Sequence, residues 1–174
     1  VAADDPVAGL LVGAGFEVYA ETVTVARRLA GMRAAPHVTG IHIAPYRNEW
    51  AEAFLAAEAA AMAEDPFYRE MGGVTGFATA AGQGVFVVAR SGAAIVGFGQ
   101  AAVPEGWVNW FGVVPEERRK GIGTALLGEI ARAVAAARGT HLVLETAPGN
   151  DAHAFWRAQG FSDRGRSLYL IRRA

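Results

Sequence analysis

Between Gly112 and Gly123 the chain reads GVVPEERRKGIG, three adjacent cations and then two glycines one residue apart. The segment stands where an apolar run (Trp107, Val108, Trp110, Phe111, Val113, Val114) gives way to a long helical pattern. The chemistry open to such a junction is anion binding. The first N–H groups of a helix lack intrahelical partners, and the peptide dipoles add partial positive charge there. Glycine lets an anion approach the backbone because no Cβ blocks the way. Arg118, Arg119 and Lys120 supply a positive local field, and Gly121 and Gly123 sit where a phosphate cradle needs them. Two better-known phosphate loops are excluded. GxxxxGK[ST] is absent, and Gly121-Ile122-Gly123 runs on into Thr124, Ala125 and Leu126 without a third glycine.

Other chemistries fail on residue type. The chain has no cysteine, which removes disulfides, thiolate metal sites and an acyl-cysteine intermediate. His37, His42, His141 and His153 lack metal-ligand spacing, so no metal is expected. Ser91, Ser162 and Ser167 lie outside any G-x-S-x-G turn.

The elements that must position these groups read as a mixed pattern. VTGIHIAPY (38–46) alternates like a strand, and Asn48 can cap a helix through EWAEAFLAAEAAAMAED with Trp50, Phe54, Ala57 and Ala61 on its apolar stripe. PFYREM follows as a short helical turn. Residues 84–103 read as a hairpin turning at Ser91-Gly92, and GWVNWFGVV as the next strand. From Gly123 to Gly139, with Gly139 as C-cap, Ile122, Leu126, Ile130 and Val134 recur every four residues. THLVLET is a strand, NDAHAFWRAQ a helix ended by Gly160, and SLYLIRR a last strand. This order predicts an α/β (α+β) fold: a mixed, mostly antiparallel central sheet of about seven strands with helices on both faces.

At 174 residues, 52% apolar, 19% charged and net charge -1, the chain is expected to be globular and to bind no nucleic acid. No run is long and apolar enough for a membrane helix, and the first residues, VAADDPVAGLL, are acidic where a signal peptide is basic. The expectation is a cytoplasmic protein, and the Arg-, Ala- and Gly-rich composition with a single lysine points to a bacterial source.

The chain also repeats itself at an offset of 145. LLVGAGFEVYAETVTVARR lies over FWRAQGFSDRGRSLYLIRR, with Gly15-Phe16 on Gly160-Phe161 and Arg27-Arg28 on Arg172-Arg173. A strand in residues 1–34 must bury its apolar face on the main domain or on another chain, so a homodimer through these residues is one expectation.

VVPEERRKGIGTALL resembles the acyl-CoA-binding signature of the GNAT superfamily of N-acetyltransferases, V-x-P-x-x-(R/Q)-x-x-G-(I/L/V)-(G/A). Val113, Pro115, Arg118, Gly121, Ile122 and Gly123 match. LETAPGNDAHAFWRAQGF resembles the family's next block, and the likeness covers about residues 38–174. The resemblance implies a GNAT domain at residues 36–174 and, through the repeat, a segment at 1–35 resembling the closing helix–hairpin of a second copy. It implies acetyl-CoA as co-substrate and direct transfer to a primary amine in a ternary complex, the amine being a small molecule or a peptide N-terminus. A catalytically weak acyl-CoA-binding or assembly module is the alternative.

By position, the resemblance gives the coenzyme to Val113, Val114, Arg118, Arg119, Lys120, Gly121, Ile122, Gly123 and Thr124, with Asn150 and Trp156 downstream. Pantetheine would enter between splayed fourth and fifth strands (107–114 and 140–146). The Val113 N–H would polarise the thioester carbonyl, and Glu145 would act as base through a water. Many relatives place a tyrosine acid where this chain has Trp156, whose indole cannot deliver a proton. The usual asparagine of that block would fall at Gly149, one position before Asn150. The acceptor side would use Glu64, Asp65 and Tyr68, with Phe67 and Glu70 nearby, and Trp107 and Asn109 on one side of their strand. Carboxylates and aromatic faces suit a cationic amine.

Overall fold

The computed structural model describes residues 1–32, 34–65 and 84–172. The elements are α1 (Pro6–Gly13), β1 (Glu17–Arg28), β2 (His42–Pro45), α2 (Ala51–Met62), β3 (Gly84–Ser91), β4 (Ala94–Ala102), β5 (Val108–Val113), α3 (Ile122–Ala136), β6 (His141–Thr146), α4 (Asp151–Ala158) and β7 (Ser162–Ile171). The α/β class and the antiparallel pairing are as expected, but the seven described strands form two sheets, not one. Their orders are β2-β3-β4-β5 and β6-β1-β7. The chain divides into two compact units, Arg28–Leu142 and Val1–Arg27 with Val143–Ala174.

In the unit Arg28–Leu142, helices cover both faces of the four-stranded sheet. On one face Phe54 and Ala57 of α2 pack with Phe86, Val88, Ile95 and Phe98. Phe54 meets Phe86 and Phe98 edge-on at 5.2 and 5.4 Å between ring centroids. On the other face Gly97 and Gly99 of β4 lie under Ile122, Leu126 and Ile130 of α3. Ile122, Leu126, Leu127, Ile130 and Val134 are all sealed from solvent, each worth about 1.5–3 kcal/mol of burial. The four-residue recurrence in the sequence is this stripe.

Several boundaries move. The strand expected over 38–46 is only His42–Pro45. Asn48 does not cap α2; it opens a 3-10 turn, Asn48–Trp50, and Trp50 is the N-cap residue. The hairpin turns at Gly92-Ala93, one residue later than the expected Ser91-Gly92, with Gly92 at φ 59°. α3 ends at Ala136 with Ala137 as its C-cap, and the left-handed residue behind the cap is Arg138 (φ 67°), not Gly139. Arg138 N–H donates to Ala135 O and Gly139 N–H to Val134 O, the two bonds of a Schellman motif. β7 starts at Ser162, five residues earlier than the expected strand. The turn PFYREM lies outside the described residues.

The other unit has its own small core of Ala8, Val23, Val25, Leu144, Trp156 and Phe161. Its centre is the antiparallel ladder of β1 and β7. Among the described residues no helix is long and apolar enough to cross a membrane.

Candidate active site

The site begins at the end of β5, an edge strand of its sheet. Val113 pairs with Gly97, and the next N–H, from Val114, donates to Val96 O at 3.0 Å. Antiparallel ladders alternate inward and outward groups, so the N–H and C=O of Val113 turn away from β4 toward the open edge. Val114 O accepts from Glu117 N at 3.0 Å. With both backbone groups engaged, Val114 has only its side chain to offer a ligand.

A 3-10 turn, Pro115–Glu117, follows. Arg118 then braces the loop, donating from Nε to Val113 O (3.0 Å) and from its terminal nitrogen to Ala61 O (3.1 Å) in the last turn of α2. Its charge suits a helix C-terminus. Lys120 pairs with Glu117 at 3.0 Å across an exposed surface. Arg119 (φ 65°) and Gly121 (φ 85°) are both left-handed, and Gly121 is the N-cap residue of α3. No side chain caps this helix; its first ladder bond runs from Ala125 N–H to Gly121 O. The N–H groups of Ile122 and Gly123 precede that bond, where an anion-binding terminus presents its donors. The resemblance therefore meets a local geometry that fits a diphosphate. Val113, Arg118 and Gly121 come together in one loop, and Ile122 anchors it at 1% exposure.

The unit Val1–Arg27 with Val143–Ala174 holds Glu145. Glu145, half-buried near the end of β6, accepts a hydrogen bond from Tyr169 Oη of β7 at 2.6 Å. That bond, then burial, push the Tyr169 phenol up to about 12. The sequence reading did not single out Tyr169.

Trp156 is a core residue at 3% exposure, edge-on to Phe161 at 5.1 Å between centroids. The residue expected among the coenzyme contacts thus has its indole sealed in the core of its unit. Asn150 spends its side-chain oxygen on His153 N–H at 2.7 Å as the N-cap of α4. His153 accepts from Gly149 N–H at Nδ1, so Nε2 carries the proton and donates to Asp163 at 3.0 Å. That bond and Arg157 hold the Asp163 carboxyl below the usual carboxylate range. Among the described residues no cluster of His, Asp and Glu could hold a metal.

The acceptor set is dispersed. Glu64 is exposed and Asp65 half-buried in the turn after α2, whose last residues reach the Val113 end of β5 through Arg118. Trp107 (40% exposed) and Asn109 are exposed as their alternation predicts. They stand at the opposite end of that strand. Six residues at about 3.3 Å each put Trp107 about 20 Å from Val113, and Asn109 about 13 Å away. Neither stands beside Val113. Tyr68, Phe67 and Glu70 lie outside the described residues.

The sequence reading missed Glu58. It is 1% exposed, on the buried face of α2, and accepts from Trp110 Nε1 at 2.8 Å. Burial raises its carboxyl above the ordinary value, against a smaller lowering by the Trp110 bond. The signal was present: Glu58 stands four residues after Phe54 and one after Ala57, on the apolar stripe itself.

A family model described as "Acetyltransferase (GNAT) domain" matches residues 82–163, which span the loop, Glu145 and α4. The match covers 82 of the 174 residues, so this segment is similar to GNAT acetyltransferase domains. Solved structures share the fold. A GCN5-related N-acetyltransferase from Sphaerobacter thermophilus is 21% identical with TM-score 0.70, over 100% of this chain and 59% of its own. A tandem GNAT protein of the clavulanic acid biosynthesis pathway is 18% identical with TM-score 0.68, over 96% of this chain and 58% of its own. AAC(6')-Iy, in complex with the bisubstrate analog CoA-S-monomethyl-acetylneamine, is 14% identical with TM-score 0.59, over 77% of this chain and 99% of its own. The chain thus spans under three fifths of the length of the first two structures. No curated protein matches it.

Proposed function

We propose that this protein moves an acetyl group from acetyl-CoA to a primary amine by direct transfer. The observation that carries the reading is the uncapped start of α3 behind two left-handed residues, beside a strand edge that turns Val113 N–H outward. The amides ahead of the first ladder bond would hold the coenzyme diphosphate, with Arg119 adding charge. Val113 N–H would polarise the thioester carbonyl as a single oxyanion donor. The AAC(6')-Iy analog, coenzyme A joined to an amine-bearing acceptor, supports the same pair of reactants.

Glu145 is the base in this reading. It takes a proton from the ammonium, through water, and frees the lone pair. The nitrogen attacks the carbonyl carbon, the C–N bond forms and the C–S bond breaks. The coenzyme leaves as thiolate, and the surplus amide proton passes to sulfur through solvent. A thiol of pKa about 8.5 is a tolerable leaving group without a dedicated acid, so Trp156 in the tyrosine position does not stop the reaction.

The buried Trp156 also favours the second reading, a module that holds acyl-CoA with little turnover. Coenzyme binding by calorimetry and free-thiol release with a panel of amines separate the two. Transfer predicts amine-dependent thiol release, cut by about 10²- to 10⁴-fold in Glu145→Gln with coenzyme affinity unchanged. Tight coenzyme binding with no amine-dependent release upholds the module.

A further inference from the structure

The unit Val1–Arg27 with Val143–Ala174 is built twice from one pattern. Adding 145 carries α1, Pro6–Gly13, onto Asp151–Ala158, which is α4, and the first residue of β1, Glu17, onto the first of β7, Ser162. The caps correspond. Asp5 accepts from Val7 N–H at 2.8 Å and Asn150 from His153 N–H at 2.7 Å. The endings correspond as well, Gly15 at φ 87° and Gly160 at φ 81°. Phe16 N–H bonds Leu11 O as Phe161 N–H bonds Trp156 O, and Gly15 N–H bonds Val12 O as Gly160 N–H bonds Arg157 O. Both helices close in the same Schellman motif.

The pairing of the copies reveals their symmetry. Thr22 pairs with Ser167, its own counterpart at 22 + 145. Glu21 pairs with Leu168, the counterpart of Val23, and Val23 with Arg166, the counterpart of Glu21. A two-fold axis therefore passes between Thr22 and Ser167. Arg27 reaches across it to bond Gln159 O at the end of α4, and Arg172, its counterpart, lies over the Phe16 ring at 6.0 Å.

The outer strands obey the axis too. On β7, Val1 exchanges both backbone bonds with Leu168 (2.9 and 2.7 Å), and Ala3 N–H donates to Arg166 O. Val1 corresponds to Thr146, the last residue of β6, the strand on the far side of β1. Val1–Ala3 thus holds beside β7 the place that the end of β6 holds beside β1.

One element breaks the symmetry. α1, PVAGLLVG, has no polar side chain, whereas α4 carries Asp151, His153 and Arg157. A helix that is apolar all round is a buried helix. Yet Leu10 is 72% exposed, with Val7, Val12 and Val18 of β1 also open.

We propose that α1 and β1 are the closing helix and strand of a second GNAT body in the same polypeptide, whose own fifth strand leads into Val1. That body covers α1, and the two bodies share one sheet by exchanging β1 and β7 across the axis. A second copy of this chain fits less well, because its strand would compete for the β7 edge that Val1–Ala3 already occupies.

The test compares this 174-residue chain with the longer polypeptide its source encodes, by hydrogen exchange and thermal unfolding of wild type and Leu10→Arg. In the longer polypeptide the α1 amides are expected to exchange about tenfold or more slowly than in the short chain. Leu10→Arg should lower its Tm by about 4 °C or more and leave the short chain's Tm unchanged. Equal exchange in both, or a short chain that dimerises through α1 and is dissociated by Leu10→Arg, overturns the proposal. So does a source gene with no domain-sized segment ahead of Val1.

Discussion

Tyr169 Oη donates to Glu145 Oε2 at 2.6 Å from β7 to β6, two strands that are not neighbours because β1 lies between them. With its pKa pushed to about 12, Tyr169 stays protonated and remains a donor at any working pH. It fixes the carboxylate's direction.

Tyr169→Phe removes the donor and leaves the ring. With the carboxylate free to turn, kcat for amine-dependent thiol release should fall by about tenfold. Coenzyme affinity should not change. An unchanged kcat would show that this bond does not position the proton acceptor.

Gly121 tests the coenzyme loop. A Cβ there would meet only Val38 Cγ2 at 3.6 Å, so substitution brings no clash, but φ is +85°. Gly121→Ala should cost about 1–2 kcal/mol of backbone strain and weaken coenzyme binding by about tenfold. Gly121→Asn, which tolerates the left-handed region, should lose less. Calorimetric titration with acetyl-CoA ranks the three, and equal affinities would remove the loop from the site.

Arg118 joins Val113 O and Ala61 O. Arg118→Ala should loosen the end of β5 and cost about 1 kcal/mol of stability, read as a lower midpoint in urea. It should raise KM for acetyl-CoA more than it lowers kcat. Lysine, a point charge without the planar fork, should restore only part of the loss.

Glu58 sets a pH dependence. Its carboxyl is raised in the fold, chiefly by burial, so the protonated form is favoured there. Its stabilising contribution is complete below the ordinary carboxylate value and is lost as pH rises through the raised one. Glu58→Gln keeps an acceptor for Trp110 and abolishes the titration. The variant's Tm relative to wild type should climb as pH rises from about 4 to 8, by a few degrees in all. Parallel curves for the two proteins would refute this.

The phosphate loop was legible in the sequence because its chemistry is local. Helix start, glycine and cations lie within twelve consecutive residues, Gly112 to Gly123, and spacing alone places them. The offset of 145 was legible for the same reason, each copy being one continuous helix–turn–strand. Tertiary structure decided the rest. Glu58 reads as one more solvated charge in an alanine-rich helix until α2 is laid on β4 and β5 and its polar tip meets Trp110. Trp107 and Trp110 look alike in the sequence, yet strand alternation and length send one to solvent at the far end and the other under α2. Trp156 reads as a missing acid until Phe161 closes on it. The Tyr169–Glu145 pair depends on a strand from the other end of the chain lying between its partners. Local backbone chemistry is written in adjacent letters, whereas a long-range contact exists only once the whole chain has chosen its neighbours.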